Sequence, residues 1–290
     1  MKKWLFRLIT ILFGMILVAC GSNDETIQVG SKDFTESLLV SEIYALALED
    51  NGYEVERIQS IASSVIPQSL ESGEIDLYPE YTGTSLMTIF NLPLQTDPDA
   101  VAETIREEYE AIGLTTLDYA PANNAQGIAI RTDVAEELGI ATISDFQANA
   151  GEIRFASQGE FDLREDGLVG LAEVYGEFNF ADSTVYDNSL KYQILRSDEA
   201  DATPAYTTDG QLVNTDEFLV LEDDKNFWPP YNLVPVINQE VLEANPDIAD
   251  ILNAINADLT TEQVIELNAA VDIDGREYEE VAAEYYESLN

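Results

Sequence analysis

The chain has 290 residues, 46% of them hydrophobic, enough to bury a substantial core despite 56 acidic residues, 13 Lys and Arg, and a formal net charge of -43. A surface of that sign repels polyphosphates and anionic headgroups, which excludes nucleic acid as a partner and any membrane contact except through an anchor. The absence of histidine and the single cysteine remove the commonest general base and the soft metal-ligand sets, so no enzyme activity, cofactor or metal is expected.

Met1-Lys2-Lys3 and Arg7 precede an apolar run over 8–19, too short to span a bilayer comfortably, and the run ends in Leu17-Val18-Ala19-Cys20-Gly21. A basic start, an apolar stretch and a cysteine at the cut resemble a bacterial lipoprotein signal. The resemblance implies a signal peptide over 1–20, a lipidated Cys20 and a polar tether over 21–25. It places the mature protein outside the cytoplasm, on the outer face of the cytoplasmic membrane or in a periplasm. Removing Lys2, Lys3 and Arg7 leaves 10 cationic residues against 56 acidic ones. The acids are spread along the chain rather than blocked, which points to a salty medium that screens their repulsion. The mature protein is then expected to lose thermal stability at very low ionic strength; equal melting temperatures with and without salt would contradict this.

Along the mature chain, 26–30 reads as a strand, and Ser31-Lys32-Asp33-Phe34-Thr35-Glu36 supplies helix-start chemistry, with Asp33 or Thr35 as the expected cap. Leu39, Ile43, Leu46 and Ala47 share a helical face that stops at Asn51-Gly52. Strands are expected at 53–57 and 75–78, with helices at 65–70 and 97–112. A second set follows Pro121-Ala122-Asn123-Asn124: strands at 127–130, 153–156 and 218–221, and helices at 134–138, 168–175 and 189–196. A strand over 233–237 returns to the first set, and the C-terminal third is helical, with Ile248, Ile251, Leu252 and Ile255 in phase. Alternating strands and helices predict an α/β fold. Crossings near 121–127 and 222–231 predict two lobes, 26–122 plus 228–290 and 123–227, joined by a two-strand hinge around a ligand cleft. No internal repeat is visible.

Tyrosines and two cations fall where such a cleft gathers its contacts, at strand-to-helix junctions and crossings. Tyr78 and Tyr81 lie in Tyr78-Pro79-Glu80-Tyr81-Thr82-Gly83-Thr84, Tyr206 in Tyr206-Thr207-Thr208-Asp209-Gly210, and Tyr231 in Pro229-Pro230-Tyr231. Lys32 follows the first strand, and Arg164 sits in Glu160-Phe161-Asp162-Leu163-Arg164-Glu165-Asp166-Gly167. Each alone is commonly a surface or core residue; the set at cleft positions is what points to a ligand.

Together with Ser31-Lys32-Asp33-Phe34-Thr35-Glu36, these motifs resemble the substrate-binding lipoproteins of osmoprotectant ABC transporters, which take up glycine betaine, choline and carnitine. The resemblance spans nearly the whole mature chain, in order. It implies a two-lobed, class II periplasmic-binding-protein fold, a monomer, and an ABC permease in the cytoplasmic membrane as partner. Carried over by motif, Tyr81, Tyr206 and Tyr231 would wall a quaternary-ammonium cage, while Lys32, Arg164 and the Thr84 hydroxyl would meet a carboxylate. Closure would bring Lys32, Thr84, Tyr81 and Tyr231 together with Arg164 and Tyr206. Gln126, in Asn123-Asn124-Ala125-Gln126-Gly127, stands where the family pattern carries a further cage tyrosine. That exchange implies weak affinity for simple betaines or a ligand with a polar group for Gln126, such as ergothioneine. Tyr78 is expected to turn elsewhere by strand alternation. A receptor for an amino acid or another small solute, an extracytoplasmic enzyme and a surface adhesin remain the alternatives.

Overall fold

The computed structural model describes residues 26–159 and 161–289; the expected signal peptide, Cys20 and tether lie outside the described residues. Among the described residues, ten strands form two five-stranded sheets. The first contains β1 (Ile27–Lys32), β2 (Val55–Ile61), β3 (Leu77–Tyr81), β4 (Leu114–Thr116) and the late strand β10 (Leu233–Asn238), in the order β2-β1-β3-β10-β4. The second contains β5 (Gln126–Arg131), β6 (Arg154–Ser157), β7 (Asp182–Val185), β8 (Ala202–Tyr206) and β9 (Phe218–Val220), in the order β7-β6-β8-β5-β9.

The two sheets follow one plan. β1 runs parallel to β2 and β3, as β6 does to β7 and β8. The strands that carry the chain across, β10 and β5, are each antiparallel to both neighbours. Each sheet has its own cores, so the molecule is a two-lobed α/β protein.

The helix Thr35–Asp50 shows how composition builds the first lobe. Its straight-chain and alanine residues favour helix and contain no Gly or Pro. It ends where Gly52 takes φ +91°, a conformation that other residues adopt at a cost. The helix is buried on nearly all sides, between the first sheet and the C-terminal helices Asp247–Asp258, Thr261–Asp272 and Tyr278–Ser288. Fully buried Ile43 and Leu48 each contribute about 1.5–3 kcal/mol. The expected cap is not formed: Phe34 occupies the cap position without a side-chain bond, and Thr35 Oγ1 donates instead to Asp272 Oδ1 at 2.6 Å.

The crossings run side by side. Asn123 and Asn232 form an antiparallel bridge, Tyr231 N donates to Asn123 Oδ1 at 2.7 Å, and Asn124 N to Tyr231 O at 3.0 Å. Trp228 packs in the second sheet's core with Phe161 and Leu221, so the chain returns after this residue rather than at it. Three strands have no counterpart in the sequence reading: β4, the wholly exposed β7, and the proline-containing β8.

Candidate functional site

An open cavity of about 760 Å³ lies between the sheets, in the size range of small-molecule sites. Lys32, Tyr81, Thr84, Gln126, Arg164, Tyr206 and Tyr231 all line it. Topology explains the gathering. Lys32 ends β1 and Tyr81 ends β3, with Thr84 one turn on. Tyr206 ends β8 and faces Gln126, the first residue of β5, in register. Arg164 lies between β6 and the helix Leu168–Tyr175, and Tyr231 lies on the returning crossing. Carboxyl ends of parallel strands and crossings are where open α/β sheets leave room for ligands. Tyr78 is fully buried and absent from the lining, its hydroxyl donating to Glu80 Oε2 at 3.0 Å.

The first-lobe wall is tightly held. Lys32 is 4% exposed and ion-paired to Glu80, whose Oε1 also accepts from Tyr81 N at 2.8 Å. The Lys32 ammonium lies 5.1 Å from the Tyr81 ring centre, and Phe34 stacks on that ring at 6.2 Å. Tyr81 OH donates to Glu36 Oε1 at 2.7 Å. Burial, then the neighbouring Glu36 carboxylate, pushes the Tyr81 phenol well above its ordinary range, so it stays a donor. Gly83 lets the Tyr231 ring approach the backbone: a Cβ there would meet ring carbon Cδ1 at 2.7 Å. Thr82 fastens the same corner, its Oγ1 donating to Pro230 O and accepting from Asn232 N, both at 3.0 Å.

The second-lobe wall is more open. Arg164 grips Asp166 through Nε, at 2.6 Å, and Nη2, while Gln126 Nε2 donates to Asp166 Oδ2 at 2.7 Å. Burial opposes ionisation of Asp166, but these bonds from Arg164 and Gln126 outweigh it and hold the carboxyl below the ordinary range. Tyr206 is 47% exposed, with the Lys191 ammonium 5.6 Å from its ring centre. Lys191 is in turn paired to Asp209 at 2.6 Å, and Asp209 also accepts from Tyr206 N at 3.0 Å. Burial raises the phenols of Tyr206 and Tyr231, against the lowering effect of Arg164. Trp228 Nε1 donates to the Asp166 carbonyl at 2.9 Å, tying this tryptophan to the wall.

Sequence reasoning missed several lining residues: Glu36, Asn124, Asn268, Lys191 and Asp209. Glu36 and Asp209 lie inside motifs already singled out, one residue after Thr35 and three after Tyr206. Asn268 sits on the late helix Thr261–Asp272, and nothing local distinguishes it. The whole arrangement offers aromatic faces, paired cations with donors to spare, and buried carboxylates.

A family model described as the substrate binding domain of ABC-type glycine betaine transport systems matches residues 25–288. A glycine-betaine-binding protein of Pseudomonas aeruginosa is 33% identical over 271 residues, covering 90% of this chain and 87% of that protein. The ergothioneine transport permease and binding protein EgtU of Helicobacter pylori is 30% identical over 269 residues, which are 92% of this chain and 48% of that longer protein. Among solved structures, apo YehZ from Escherichia coli superposes with a TM-score of 0.79 at 27% identity, covering 91% of this chain and 98% of that one. A structure described as a glycine betaine/carnitine/choline ABC transporter reaches 0.85 at 24% identity, over 90% and 98% of the two chains, and supports the fold. With this family model running almost the full length of the described chain, the protein belongs to the substrate-binding domains of ABC-type glycine betaine transport systems.

Proposed function

We propose that the chain is the extracytoplasmic receptor of an ABC importer, tethered through a lipidated Cys20, and that it binds a quaternary-ammonium solute of the glycine betaine, carnitine or choline type. The observation that carries this is one cavity collecting Tyr81, Tyr206 and Tyr231 from the two lobes and the crossing, beside Lys32 and Arg164. A trimethylammonium head donates no strong hydrogen bond, so aromatic faces recognise its diffuse charge. A carboxylate tail needs donors. Lys32 has three N–H groups and Arg164 five, and each commits only part of them to Glu80 or Asp166. Thr84 adds a hydroxyl. The cavity is open and larger than a small betaine fills, so capture requires the lobes to close and bring the Tyr206 wall onto the Tyr81 wall.

One feature favours a bulkier, more polar betaine of the ergothioneine type. Gln126 holds an amide where an aromatic face would otherwise stand, and the Helicobacter relative is named for ergothioneine. The test is titration of the soluble mature protein with glycine betaine, carnitine, choline and ergothioneine. Calorimetry gives the affinities, and Trp228 fluorescence reports the Asp166 wall. Saturable binding of any of the four supports the receptor; silence with all four overturns the ligand class. A ranking with ergothioneine first selects the second reading.

A further inference from the structure

Glu36 has no cation partner among the described residues, yet its side chain is 3% exposed and lines the cavity. Its carboxylate is surrounded by neutral donors. Oε1 accepts from Tyr81 OH at 2.7 Å and from Asn124 Nδ2 at 3.0 Å, and Oε2 accepts from Asn268 Nδ2 at 3.0 Å. Both amides turn their N–H groups toward it, and both leave Oδ1 buried without a hydrogen-bond partner among the described residues. Buried polar atoms are rarely left in that state, because each orphan forfeits the water it had in the unfolded chain. The local fold is arranged around this one anion.

Each cation at the cavity is matched by a carboxylate, and the exposed lining acid Asp272 accepts from Thr35. Lys32 is matched by Glu80, Arg164 by Asp166 and Lys191 by Asp209. Glu36 is the buried lining carboxylate left over, and it touches Tyr81 directly. A carboxylate accepting from a phenol draws the O–H dipole toward itself and leaves the ring more electron-rich, as bonds in a chain polarise one another. An electron-rich ring and an unneutralised anion at its hydroxyl both attract a cation that sits on the ring face.

We infer that Glu36 is a positioning and charge-selecting residue of the site: it orients Tyr81, and it supplies the negative charge that makes the cavity prefer a quaternary ammonium over a neutral group of the same shape. This rests on the reading that the cavity takes a trimethylammonium solute. Asn124 and Asn268 hold Glu36 in place, and Asn268 Nδ2 also donates to Thr208 O at 2.9 Å, so the hub reaches the second lobe.

The test compares two pairs of ligands on wild type and Glu36→Gln: glycine betaine with 3,3-dimethylbutanoate, and choline with 3,3-dimethylbutan-1-ol. Within each pair only the charged nitrogen is replaced by carbon. Wild type should prefer the ammonium member, and Glu36→Gln should weaken that member about 10-fold while weakening its carbon analogue, an anion for glycine betaine and a neutral alcohol for choline, by less than twofold. Equal losses for both members make Glu36 merely structural, and no loss removes it from recognition; either result overturns the inference. If the carbon analogues bind wild type too weakly to measure, Tyr81→Phe, which keeps the ring and removes the hydroxyl, decides by a double-mutant cycle. The double variant should be no weaker for the charged ligands than the worse single variant, and independent losses overturn the claim. Wild type that binds neither glycine betaine nor choline fails the underlying ligand reading instead, and is recognised by that result alone.

Discussion

The two lobes share a strand plan, yet they hold their halves of the site in opposite ways. In the first, Lys32 and Tyr81 are 4% and 5% exposed, and Glu36 and Glu80 clamp them. In the second, Tyr206 is 47% exposed, and the Arg164 side chain is half exposed and held by its neighbour Asp166. The first lobe is a finished socket whose geometry is paid for during folding. The second presents groups that gain burial only when something sits between the walls. Substitutions should therefore separate: those in the socket lower stability and binding together, and those on the open wall lower binding alone.

Tyr81 and Tyr206 test that separation most severely. Tyr81→Ala empties a buried site and should cost about 3–5 kcal/mol of unfolding free energy as well as abolishing binding. Tyr206→Ala should abolish binding with stability changed by about 0.5 kcal/mol or less, read from denaturant midpoints. Retained affinity in Tyr206→Ala would remove it from the cage, and unfolding would erase the contrast between lobes. Gly83→Ala comes next, since its methyl group must displace the Tyr231 ring or the Pro230 carbonyl. A loss of about 1–3 kcal/mol in stability is expected, with weaker binding of every trimethylammonium ligand.

Two changes on the open wall sharpen the comparison further. Arg164→Ala should weaken glycine betaine about 10- to 100-fold, the worth of a charged hydrogen bond, and leave choline within threefold. Equal losses in the two titrations would make the Arg164–Asp166 pair structural. Gln126→Tyr is the mildest. It breaks the bond to Asp166 and adds an aromatic face beside Tyr206, which should tighten simple trimethylammonium ligands by about 0.5–2 kcal/mol. Weaker calorimetric affinity in that variant would show that Gln126 serves the natural ligand directly.

Sequence reading reached β1, β2, β3, β5, β6, β9 and β10, the principal helices and the two crossings because each carries local chemistry: apolar residues for the strands, Gly52 and Gly113 after helices, Pro229-Pro230 at the return. β8 escaped it because Pro204 lacks a donor and its neighbours are small, and β7 because Asp182–Val185 is polar and exposed throughout. In the site, tyrosines and cations stood out because they sit in compact motifs at strand ends. Glu36 was legible only as a helix-start residue. Its meaning comes from Asn124 and Asn268, which are brought to it by the fold and not by spacing.

That convergence has a consequence for how the molecule is made. Tyr81 reaches Glu36 across 45 residues, but Asn268 reaches it across 232. Closing the longer loop costs about 1.5 kcal/mol more chain entropy, and it requires a helix that emerges long after Glu36 and Tyr81 have been made. A nascent chain can assemble β1, β2 and β3 early, with Tyr81 already bonded to Glu36. The socket is completed only when the helix Thr261–Asp272 docks, so binding competence follows the assembly of the first sheet's early strands.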